Sequence, residues 1–345
     1  MPTPPPEPAA VVVPTTDVDA TVRFLLDAGF RVDRIVPADD PSQVFLSGHD
    51  ARLMVERTAE ASAVRLTVPG LTDAVAGPDG LRLEPTPSFE RPTAEPGAPE
   101  VVITRVDATE SSAGRAGMGY QDLLPSRMGG RFIASEIHIA EDGPVSDWVH
   151  HHDVDAQVIV CVEGWVEVVY EDQGPAFVMH PGDAVLQPPH IRHRVLRAGG
   201  GLRVVEITGP AIHQTFSDHD MELPTSRLRR TRDFSGQRFH RHIAASGSWD
   251  PSAIQGFDQR STGIGTASAG AIDVDFVRRA GDVDGSLQAA GSLTVASVRT
   301  GWVEIEHEGT SSRLNGRDAV ALVDGAAVNV VDASVDAEML LVTCR

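Results

Sequence analysis

At 345 residues, with 41% hydrophobic content, the chain is long enough for two or three domains with real apolar cores. Its formal charge of -20 argues against polyanionic partners, whether nucleic acid or an anionic membrane surface, and in favour of a small substrate. All 29 basic residues are arginine, which excludes a lysine Schiff base, a pyridoxal-phosphate anchor and a Walker-type phosphate loop.

The opening "MPTPPPEPAAVVVP" lacks a basic leader region, and no later window approaches the roughly 18 apolar residues that span a bilayer. Cys161 and Cys344 are too few for a disulfide framework and suit a reducing compartment. The expectation is a soluble, cytoplasmic protein. Val11 to Thr16 reads as a strand, and "DVDATVRFLLDAGF" as a helix with Asp17 as N-cap and Gly29 as its stop. Strand-like pieces follow in "RVDRIVPA", "SQVFLSG", "ARLMVER" and "AVRLTVPG", so residues 1–76 form a small α+β module of order βαβββ. A lone module of this kind leaves a sheet edge and a face open, which predicts a homodimer. Residues 77–100 are rich in Pro and Gly and read as a linker.

From Val101 onward short strands alternate with Gly, Pro and Asp turns, the pattern of an all-β sandwich or barrel. "GWVEVVYED" at Gly164 recurs as "GWVEIEHEG" at Gly301, and "GDAVLQPP" at Gly182 is matched by "GRDAVALVDG" at Gly316. Two copies of one β unit explain this, the first over 101–225 and the second over 226–345, where it follows the irregular connector "ELPTSRLRRTRDFSGQRFHRHIAASGSW".

The first copy carries "SDWVHHHDVDAQ". In an extended strand alternate side chains share a face, so His150 and His152 point one way, with Trp148 behind them, and His151 points the other. Gln157 opens the next apolar strand, and "PGDAVLQPPHIRH" brings His193 to the start of another. Three imidazoles and an amide at this spacing make a candidate metal site. Alternation sends Ile159 and Cys161 inward with Gln157, where they line a pocket or simply fill a core.

Two resemblances follow from these residues. Residues 1–76 resemble one module of the vicinal oxygen chelate superfamily, the glyoxalase and extradiol dioxygenase group, although only Glu56 falls near a ligand position of that family. The resemblance therefore implies a structural or dimer-forming role. Gly143, His150, His152, Gln157 and Gly164, followed by Gly182, Pro188 and His193, resemble the two motifs of the cupin superfamily. Gln157 stands where a glutamate is usual, His190 where a glycine is, and Arg197 where an asparagine is. The resemblance extends through the Gly301 repeat and implies a mainly β bicupin of two jelly-roll-like barrels. In the second copy Leu287, Ala289, Thr294 and Val328 occupy the ligand slots, which implies a metal-free barrel.

The cupin resemblance implies a divalent ion on His150, His152 and His193, with Gln157 as a fourth ligand or as a donor to bound oxygen. Iron(II) stands first, with Mn, Ni, Cu or Zn as alternatives that side-chain type does not separate. Gln157 brings no charge, so the ion would keep its double positive charge and favour an anionic ligand. The expected function is a mononuclear non-heme iron(II) dioxygenase acting on a small carboxylate, enolate or phenolate. Gln157 and Glu206 are the candidate catalytic groups; Trp148, Ile159, Cys161, Arg131 and His190 are the candidate substrate contacts. Non-redox isomerase, lyase or hydrolase chemistry on the same ion is the second reading, and a small-molecule sensor the third.

Overall fold

The computed structural model describes residues 9–27, 29–49, 51–59, 65–68, 70–76, 82–89, 97–109, 111–113 and 117–345. Strands dominate, and among the described residues no helix is long and apolar enough to cross a membrane. The chain forms two compact units: residues 1–91 with 148–152 and 212–221, and residues 92–147, 153–211 and 222–345.

In the first unit the helix Val18–Asp27 starts where expected, with the Ala20 N–H donating to Asp17 Oδ1 at 2.9 Å. It ends on Gly29 at φ 92°, where the Gly29 and Phe30 N–H groups close back on the Leu26 and Leu25 carbonyls. Val18, Val22 and Leu25 bury the helix against Val32, Ile35, Val44, Leu46 and Val55 of the sheet. Arg31–Val36, Gln43–Gly48 and Ala51–Arg57 form an antiparallel meander, and Ala10–Thr15 lies parallel to the last of these. The expected βαβββ order is observed.

Two features of this unit differ from the sequence reading. Inside the supposed linker, Arg82–Pro85 is a strand parallel to Arg65–Val68; residues 77–81 and 90–96 of that linker lie outside the described residues. The sheet edge at Arg31–Val36 is not open either, because Thr215–Ser217 pairs with it and His150–His152 pairs with Thr215–Ser217 in turn. One edge of this sheet is thus covered by the chain itself.

The second unit holds most of both copies of the repeat, residues 148–152 and 212–221 of the first copy belonging to the first unit. In the first copy, Ala156–Tyr170 and His193–Gly209 form a long antiparallel ladder, with Ile133–Ile139 on the far side of the latter. In the second, Leu293–Thr300 and Glu338–Cys344 pair in the equivalent way, with Ile272–Arg279 beyond. Gly164 and Gly301, the repeated glycines, adopt matching left-handed φ values of 67° and 66°. Each copy encloses an apolar interior of its own, one built on Val166, Val168, Met179 and Ile191, the other on Val303, Ile305, Leu314 and Val330. A third apolar layer joins the copies, with Val158, Val160, Val205 and Ile207 facing Val274, Phe276, Leu293 and Val295.

The copies also trade strands. Glu100–Thr104, which precedes the first copy in sequence, pairs with Ala319–Val323 of the second. His240–His242, inside the supposed irregular connector, pairs with Ala184–Leu186 of the first. Boundaries drawn at 101 and 226 therefore follow the repeat but not the sheets.

A Cβ on Gly164 would lie 2.5 Å from the Gly199 carbonyl oxygen and 2.9 Å from Leu202 Cα, both backbone atoms. Gly164→Ala is expected to lower stability by about 2 kcal/mol, through the left-handed φ and this clash. An unchanged urea midpoint would show instead that the bulge around Glu163 relaxes at no cost.

Candidate metal centre

The strand His150–His152 is three residues long, and alternation splits it as expected. His150 and His152 are buried at 1% and 7% exposure, while His151 turns away and stacks on Phe216 with ring centroids 5.2 Å apart. His193 opens the strand His193–Gly209 and is also buried. One ring nitrogen from each of His150, His152 and His193 falls within 4.8 Å of the others. Among the described residues this is the one group of three His, Cys, Asp or Glu side chains so placed.

The ring nitrogens not offered to this cluster have partners of their own. Nδ1 of His150 donates to the Trp148 carbonyl at 2.8 Å, and Nδ1 of His193 to the Ile191 carbonyl at 3.0 Å. A carbonyl only accepts, so both rings carry their proton on Nδ1 and present a lone pair on Nε2. Nδ1 of His152 meets the Thr215 hydroxyl at 2.8 Å, which accepts in the same tautomer. Imidazoles held this way by a second partner are pre-oriented as ligands, so the donor set fits a divalent ion.

Gln157 is 2% exposed and donates through Nε2 to Glu206 Oε1. Thr208 Oγ1 donates to the same oxygen at 3.2 Å. These three side chains lie on the inner face of the ladder with Cys161 and Val204, because Val158, Val160, Val205 and Ile207 take the other face. Glu206 is thus held by two side-chain donors from its own ladder. Ile159 and Cys161 are on the inner face as expected, packed in the first barrel's apolar core. Burial pushes the Cys161 thiol up to about 12, with Asp183 adding to the effect.

The remaining candidate residues have the following neighbours. Trp148 precedes the short histidine strand, so the alternation does not reach it; it packs on the apolar cluster of the N-terminal sheet and helix. Arg131 does not open a strand as a carboxylate clamp but forms a two-pronged ion pair with Asp324, one arm at 3.1 Å. His190 is half exposed, 3.4 Å from Asp153, and its φ of 61° explains why a glycine is usual in its slot. Glu56 is ion-paired with Arg65. In the second barrel Leu287, Ala289 and Val328 pack in the apolar core, and the Thr294 hydroxyl meets that of Thr343.

Sequence reasoning missed Thr215, and also His213, which is 2% exposed with its ring centroid 5.4 Å from that of His152. It missed Tyr170 too, whose ring stacks on His193 at 5.5 Å. The motif spacing carries no trace of these residues, since each meets its histidine through a fold contact between separate segments of the chain.

Residues 136–208 match the family model for the cupin domain. No curated protein sequence matches the chain. Among solved structures, protein Ylba from E. coli is similar with a TM-score of 0.52 at 8% identity, over 73% of this chain and 93% of that one. A mutant of oxalate decarboxylase from Bacillus subtilis gives 0.50 at 10% identity, over 70% and 76%. These likenesses are of fold, and the mainly β, cupin-type architecture expected from the motifs is what the chain adopts.

Thr215→Val is expected to weaken divalent-ion binding roughly 10- to 100-fold in a chelator competition, with Thr215→Ser and His151→Gln close to wild type. Equal affinity in all three would remove Thr215 as a support of His152. Burial also pushes the Cys344 thiol up to about 12, so neither cysteine should react with a disulfide-exchange reagent near neutral pH until the chain unfolds. Rapid labelling of the native protein would contradict this.

Proposed function

We propose that the chain is a metal-dependent cupin enzyme, a mononuclear non-heme iron(II) dioxygenase acting on a small carboxylate, enolate or phenolate. The observation that carries the reading is the neutral donor set, three buried imidazoles with each Nδ1 engaged elsewhere. Bound there, a divalent ion would supply Lewis acidity and, as iron(II), electrons for dioxygen chemistry.

The residues of the chain itself divide the remaining work. Three neutral ligands leave an ion's charge unbalanced, so an anionic substrate is favoured over a neutral one. Glu206 accepts the amide of Gln157 and the hydroxyl of Thr208 through one oxygen, Oε1, and its carboxylate is the group in this interior able to take or return a substrate proton. With Nε2 committed to Glu206, Gln157 serves as a positioning residue for that base. Ile159 and Cys161, on the same inner face, supply apolar wall that limits water.

The position of Glu206 also favours the second reading, proton transfer in an isomerase, lyase or hydrolase without redox change. Anaerobic reconstitution with iron(II), manganese(II), nickel(II), copper(II) or zinc(II), followed by an oxygen-uptake screen over carboxylates, enols and phenolates, separates the two. Oxygen uptake by the iron form alone is the expected result. An iron form that consumes no oxygen with any of them, alongside turnover by the zinc form, would replace the dioxygenase with the non-redox enzyme. In either case Glu206→Gln is expected to lower kcat by about 100-fold or more while metal content stays unchanged.

A further inference from the structure

The connector between the two copies has a charge of its own. Between Ser226 and His242 it carries six arginines and one acid, Asp233, in a chain whose formal charge is -20. Two of those arginines, Arg230 and Arg241, line a cleft of about 400 Å³ with Gln173, Phe177, Phe239 and His240. That volume lies within the range of pockets for small molecules.

The lining is complementary to a flat anion. The Arg241 guanidinium lies 4.0 Å over the Phe177 ring and donates to the Val178 carbonyl at 3.0 Å, but its Nε–H is buried and has no acceptor. The Gln173 Nε2 amide is buried without an acceptor as well. Buried donors are nearly always satisfied in folded proteins, so two of them on one cleft mark a place for an acceptor. Desolvation acts against the Arg241 charge, and Asp183 opposes it only in part. Phe177 and Phe239 supply aromatic wall, with centroids 6.4 Å apart in an edge-on arrangement. The exposed Arg230 adds a second cation at the rim.

We infer that this cleft is a binding site for a small aromatic carboxylate, the ring held by Phe177 and Phe239 and the carboxylate by Arg241, Arg230 and the Gln173 amide. A carboxylate accepts two coplanar N–H bonds from a guanidinium, which inorganic phosphate also does, but phosphate gains nothing from the aromatic wall. Tyr170 lies behind that wall, 4.6 Å from Phe239 and 5.5 Å from His193 between centroids. An occupant resting on Phe239 would be separated from the ring of His193 by two rings, Phe239 and Tyr170. The inference holds whether or not the imidazole cluster binds iron.

The test is calorimetric titration of a His150→Ala background, which removes the imidazole cluster as a competing anion site, with benzoate, its neutral isostere benzamide, and inorganic phosphate. Saturable binding of one benzoate is expected, with benzamide and phosphate each weaker by roughly tenfold or more. Arg241→Gln and Arg230→Gln should each weaken benzoate by roughly tenfold. Arg230 is exposed, so its variant keeps the test sound should Arg241→Gln fail to fold. Phosphate binding as tightly as benzoate, benzoate affinity unchanged in Arg230→Gln, or no saturable benzoate binding would each overturn the inference.

Discussion

Ala156–Tyr170 and His193–Gly209 pair antiparallel along most of their length, and where Ala156–Cys161 faces Val204–Gly209 apolar residues pack on both faces of the ladder. One face carries Gln157, Cys161, Val204 and Glu206 into the first barrel, and the other presses Val158, Val160, Val205 and Ile207 against the second. A side-chain period of two makes this register unforgiving. A slip of one residue in either strand would turn its polar member, Gln157 or Glu206, into the apolar layer between the copies. The cost of burying an unpaired carboxylate there holds the register as firmly as the hydrogen bonds do. Gln157 is paired opposite Thr208 and Ile159 opposite Glu206, so the same ladder that joins the barrels assembles the carboxylate with its two donors.

The imidazoles depend on a different constraint. Two of the three are tied by Nδ1 to carbonyls two residues before them, Trp148 for His150 and Ile191 for His193. These are local contacts, set by the backbone at the entry to each strand. His152 has no such local anchor and relies on Thr215, sixty-three positions away. The donor set therefore mixes two rings whose tautomer is written into nearby backbone with one whose tautomer depends on tertiary pairing.

This division explains what was legible in the sequence. The parity of His150 and His152 rests on strand alternation, and the place of His193 and the Gly-Trp-Val-Glu repeat on motif spacing and recurrence, and the structure keeps them. Trp148 was misplaced because alternation was carried past the end of a three-residue strand. Arg131 was misassigned because its partner, Asp324, lies in the other copy of the repeat. Nothing within a few residues of either one announces the pair. The strand Arg82–Pro85 and the strand at His240–His242 were hidden in segments whose Pro, Gly and Arg content reads as loop, since a pairing edge supplied from elsewhere in the chain decides their conformation.

The exchange of strands between the copies bears on the order in which the chain can be finished. Glu100–Thr104 leaves the ribosome before any of the first barrel, yet its partner Ala319–Val323 is among the last strands made. The first barrel meets a shorter delay, since His240–His242 follows soon after Ala184–Leu186. During synthesis the first barrel can close its sheet while the second still waits, with one apolar strand, Val101 to Ile103, held unpaired on the far side of a folded neighbour. Closing the second sheet spans most of the remaining chain, a contact of high sequence separation that comes late in folding. Vectorial synthesis thus builds the half that carries the imidazole at His193 ahead of the half that braces it.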